Sequence, residues 1–71
     1  MHRLQLNELA AHGFRVERDP LIGHGASTIT YPDGEKTVTL SDHAMQWFAQ
    51  FDQVTLRLDD DHELVLEVEY T

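Results

Sequence analysis

Seventy-one residues are expected to form a single domain, residues 1–71, near the size at which one hydrophobic core only just offsets chain entropy. Thirteen carboxylates against five Lys and Arg give a net charge of −8, and there is no cysteine. These facts exclude a disulfide framework and a thiolate metal site, and they argue against direct contact with nucleic acid or an anionic membrane. A cysteine-free chain suits a reducing compartment, so the cytoplasm is the expected location. No stretch approaches the roughly 20 apolar residues of a membrane span, and the first residues lack the apolar run of a signal peptide.

The charge is graded along the chain. Residues 1–18 carry three cations against two carboxylates, residues 19–51 one against four, and residues 52–71 one against seven.

Taken in order, Leu6, Leu9 and Ala10 fall at helical spacing and predict one helix from Arg3 to His12, closed by a left-handed cap at Gly13. An alternative places Leu4 and Leu6 in a short strand, with Asn7 capping a helix of under two turns. The single helix is the preferred reading. Phe14 to Arg18 alternates apolar and charged residues, which predicts a strand with Phe14 and Val16 facing inward, stopped by Asp19-Pro20. Gly23-His24-Gly25 then reads as a flexible loop. Ser27–Tyr31 and Lys36–Leu40 are rich in threonine and β-branched residues and flank Pro32-Asp33-Gly34-Glu35, the signature of a hairpin. Its inward set is Ile29, Tyr31, Val38 and Leu40, with the threonines outside.

Ser41 to Phe51 predicts a second helix, with Ser41 as N-cap, Asp42 in the first turn, and Leu40 and Met45 placed for a hydrophobic staple. Its apolar residues Ala44, Met45, Trp47, Phe48 and Phe51 are expected to pack on a sheet, with the three aromatics dominating the core. The last third, Asp52 to Thr71, alternates twice: Val54, Leu56 and Leu58, then Leu64, Leu66, Val68 and Tyr70, around a polar turn from Asp59 to Glu63. The expected class is α+β, an antiparallel sheet of about five strands with two helices on one face, in the order α-β-β-β-α-β-β.

No spacing supports catalysis or a cofactor. The five histidines make no short metal-type pair, and Asp59-Asp60-Asp61-His62-Glu63 lacks the alternating ligands and central glycine of a calcium loop. Ser27 and Ser41 read as strand-edge and cap residues, and Gly23-His24-Gly25 lacks the lysine of a phosphate loop. No catalytic residue, metal ligand or cofactor is assigned, and the chain is read as a non-enzyme. The five cations are too scattered for a nucleic-acid stripe.

Protein recognition remains, in two forms. In the first, Asp59, Asp60, Asp61, Glu63, Glu67 and Glu69 form a negative face that docks on a basic, nucleic-acid-binding surface of a partner. Phage and mobile-element inhibitors that imitate nucleic acid, including anti-CRISPR and anti-restriction proteins, share this small, acidic, cysteine-free style; the analogy is one of style and rests on no motif. In the second, the chain is a structural or regulatory subunit, antitoxin-like or an adaptor, joined to a second copy or another protein through an apolar interface that includes Trp47, Phe51 and Tyr70. A homodimer is compatible with either form.

Overall fold

The computed structural model describes residues 2–69. Its class is α+β, but it holds two three-stranded antiparallel sheets and one α-helix where sequence periodicity predicts a single sheet of about five strands and two helices. In chain order the elements are β1 (His2–Leu4), 3₁₀ turns at Leu6–Glu8 and Ala10–His12, β2 (Arg15–Asp19), β3 (Ala26–Thr30), β4 (Thr37–Ser41), α1 (Asp42–Ala49), β5 (Val54–Leu58) and β6 (Leu64–Glu67). One sheet is ordered β1-β5-β6 and the other β2-β3-β4.

The N-terminal segment corrects the expected first helix. Leu4 and Leu6 are both buried, as the strand alternative requires, and His2–Leu4 pairs antiparallel with Leu56–Val54. The segment between β1 and β2 forms no α-helix. Its two 3₁₀ turns place Leu6 and Leu9 in the core, and Gly13, at φ 88°, ends the second with its N–H bonded to the Ala10 carbonyl. Helical spacing identified Leu6 and Leu9 as inward residues but not their backbone, because successive tight turns can present the same side chains as one helix.

β3 and β4 form the expected hairpin, Ile29 opposite Val38, closed by a turn in which Gly34 N–H reaches the Tyr31 carbonyl and Asp33 Oδ1 accepts from the Glu35 and Lys36 amides. Ile29 is fully buried, and Thr28 and Thr39 bond to each other on the outer face. β2 pairs along the other side of β3, with Val16 opposite Ile29. The two residues expected to face inward differ in burial. Phe14 is buried, but Val16, although on the inner face, is 41% exposed, and all five residues of β2 are exposed. An edge strand has only one neighbour to cover it, and β2 protrudes beyond the core.

α1 begins as expected, with Ser41 Oγ accepting from the Ala44 amide. None of its residues is fully buried. Met45, Phe48 and Phe51 pack against the rim of the core, and Trp47 is 38% exposed, stacked edge-on with Phe48 and Phe51. The expected aromatic dominance is therefore reversed. The centre is aliphatic: Ile29, Val54 and Leu56 have no exposed surface, surrounded by Leu4, Leu6, Leu9, Phe14 and Leu64. Full burial of each such side chain stabilises by about 1.5–3 kcal/mol. At one end His2 packs edge-on against Phe14 and Tyr31, which joins β1 to the segments flanking β2 and β3. Tyr70 lies outside the described residues.

Candidate acidic face

The candidate site is built on the hairpin β5–β6. Leu56 opposite Leu66 and Leu58 opposite Leu64 put the alternate leucines inward, so Thr55, Arg57, Val65 and Glu67 face outward. β1 adds Arg3 to the same outer face, because Arg3 is in register with Thr55 and Thr55 with Glu67. Sequence alone assigned Arg3 to a helix and gave it no place here. The signal that locates it is the Leu4/Leu6 alternation.

The six expected carboxylates divide into two groups. Asp59, Asp60, Asp61 and Glu63 lie at the hairpin tip, whereas Glu67 and Glu69 lie at the far end of the outer face. At the tip, His62 N–H bonds to the Asp59 carbonyl and Asp59 N–H to the Glu63 carbonyl, with His62 at φ 61°. This is a three-residue hairpin loop whose last position needs a left-handed backbone. Asp59 is half-buried, and its Oδ1 accepts from the amides of both Asp61 and Glu63, each at 2.9 Å. That carboxylate is engaged in holding the turn. Asp60, Asp61 and Glu63 are exposed.

On the sheet, Glu67 is paired with Arg57. The Arg57 guanidinium is raised above the ordinary arginine value, first by its hydrogen bond to Glu67 and then by that carboxylate's charge; desolvation opposes the shift, and Asp59 and Asp60 add to it. Arg57 therefore sits in the field of both groups. An open depression of about 350 Å³ lies beside the pair, lined by Arg3, Phe51, Asp52, Gln53, Thr55, Glu67 and Glu69, and a smaller one of about 200 Å³ adjoins it. Two cations and three carboxylates thus share this surface, so it is nearly balanced, unlike the tip. Among the described residues no three metal-ligating side chains converge, and no helix is long and apolar enough to cross a membrane.

Two of the other cations are also paired. Arg18 grips Asp42 with two bonds, Nε to Oδ1 at 3.2 Å and Nη2 to Oδ2 at 2.5 Å, and Arg15 lies 3.5 Å from Glu17 on the outer face of β2. Among the described residues, no cation lies within ion-pair distance of Asp60, Asp61, Glu63 or Glu69. Comparison with protein families, with curated proteins and with solved structures gives no match.

Proposed function

We propose that this chain is a protein-binding domain whose hairpin tip docks on a Lys/Arg-rich surface of a partner, of the kind that binds nucleic acid. The observation that carries this reading is the division of the carboxylates: Glu67 is held by Arg57 and Asp59 by its own turn, while Asp60, Asp61, Glu63 and Glu69 are exposed and form no ion pair with a cation of the described residues. A three-residue loop held by backbone bonds and the Asp59 carboxylate presents Asp60 and Asp61, with Glu63 directly after it, at little ordering cost on binding. Charge of one sign concentrated at a protruding tip steers a basic partner toward it. A partner so covered is blocked from nucleic acid, which makes inhibition of a nucleic-acid-binding protein the natural consequence.

The test is capture of partners at low salt followed by stepwise salt elution, with wild type beside a variant carrying Asp60→Asn, Asp61→Asn, Glu63→Gln and Glu69→Gln. The expected result is a partner that elutes with salt and binds the neutralised variant at least about tenfold more weakly, as removal of several opposed charges implies. Binding that ignores both salt and the four substitutions would overturn the proposal.

A further inference from the structure

We infer that a second copy of this chain pairs antiparallel along the free edge of β2, with the twofold axis at Val16. β2 ends the β2-β3-β4 sheet, and all of its residues are exposed. Which backbone groups face outward is set by the β3–β4 ladder. Tyr31 N–H bonds to the Lys36 carbonyl, and Asp42 N–H to the Gly25 carbonyl, so the odd-numbered residues of β3 direct their groups toward β4. Its even-numbered residues turn to β2, where Thr30 meets Arg15, Thr28 meets Glu17 and Ala26 meets Asp19. Val16 and Arg18 are left with N–H and C=O groups directed at the open edge, a ready template for another strand.

The side chains select the partner and the register. Antiparallel pairing joins outward-facing residues to outward-facing residues, so a twofold axis has to pass through a residue and not between two. The strand reads Arg15-Val16-Glu17-Arg18-Asp19. An axis at any of the four charged residues sets that charge against its own copy. At Val16 it does not. There Val16 meets Val16 on the inner face, continuing the row of Ile29 and Val38, and both of its backbone groups find partners. On the outer face Arg15 of each copy meets Glu17 of the other, at a non-hydrogen-bonded position where opposed side chains are closest. Phe14 N–H already donates to the Leu9 carbonyl, which limits the pairing at that end.

Local charge points the same way. β2 has two cations and two carboxylates in a molecule of net charge −8, whereas β6 carries Glu67 between Glu63 and Glu69, so two copies of that edge repel. β1 has only three residues, and β4 is packed by α1 and β6. The product is a continuous six-stranded sheet across the twofold axis.

The experiment measures self-association of the full chain by analytical ultracentrifugation, with amide exchange read at low and high concentration. A dimer is expected, with the Val16 and Arg18 amides gaining protection as concentration rises. Arg15→Glu alone and Glu17→Arg alone each place like charges across the axis and weaken the dimer at least about tenfold. Mixing these two variants restores association as a heterodimer, because each Glu then meets an Arg, although within each chain the like charges remain. Val16→Pro removes an N–H that the β2–β3 ladder does not use, so the fold persists by circular dichroism while the dimer is lost. A monomeric wild type at ~1 mM, a dimer without protection at Val16 and Arg18, or a folded variant pair that fails to associate on mixing would each overturn the inference.

Discussion

Three residues show how a single backbone or side-chain position governs local order. His62 holds φ 61° in the tip of β5–β6, a conformation that glycine adopts without penalty and other residues do not. His62→Gly is expected to stabilise the fold by about 0.5–1 kcal/mol, read as a raised midpoint in urea. Gly25 is the opposite case, at φ 107° beneath the Arg18–Asp42 pair. A Cβ there would run into Asp42 Oδ2 and lie 2.7 Å from Arg18 Nη2. Gly25→Ala is therefore expected to destabilise by about 1–3 kcal/mol, the range for a strained backbone, and to release the Arg18–Asp42 grip. At Asp59 the carboxylate accepts two backbone amides, so Asp59→Ala should cost about 1 kcal/mol in thermal unfolding, whereas Asp61→Asn should leave stability unchanged. That contrast separates the turn-building carboxylate from those available to a partner.

At the scale of elements, the Arg18–Asp42 pair ties the exposed strand β2 to the first turn of α1, a join between segments 24 residues apart in sequence. The Arg18 guanidinium, mainly through its hydrogen bonds, holds the Asp42 carboxyl below the ordinary carboxylate value, against a smaller opposing effect of desolvation. By linkage, a carboxyl whose folded value lies below its unfolded value contributes stability above about pH 4, and that contribution is lost as pH falls through the lower folded value. Arg18→Gln should flatten this part of the stability profile, measured by denaturant titration across the acid range. The hairpins and α1 were legible in the sequence because their signals are local: alternation, Pro-Asp-Gly in one turn, and a serine cap. The first helix is predicted because Leu6, Leu9 and Ala10 have helical spacing, and it does not form because β1 pairs with β5, some fifty residues away.

For the whole molecule, the net charge of −8 opposes compaction through self-repulsion. Added salt screens this, so the melting temperature is expected to rise between about 10 and 150 mM NaCl. Partner binding by the hairpin tip should weaken over the same range, and the opposite signs of the two trends distinguish self-repulsion from recognition. The sequence by itself determined the acidic gradient, the alternation of the last third and the inward leucines of β5 and β6, since each depends on residue type and near-neighbour spacing. Tertiary structure decided the rest. It divided the strands between two sheets, brought Arg3 and Arg57 among the carboxylates of the outer face, left α1 at the rim of an aliphatic core and exposed β2 along a free edge. These outcomes depend on which distant segments pair, and strand pairing is set by the fit of whole faces, not by the composition of any one strand.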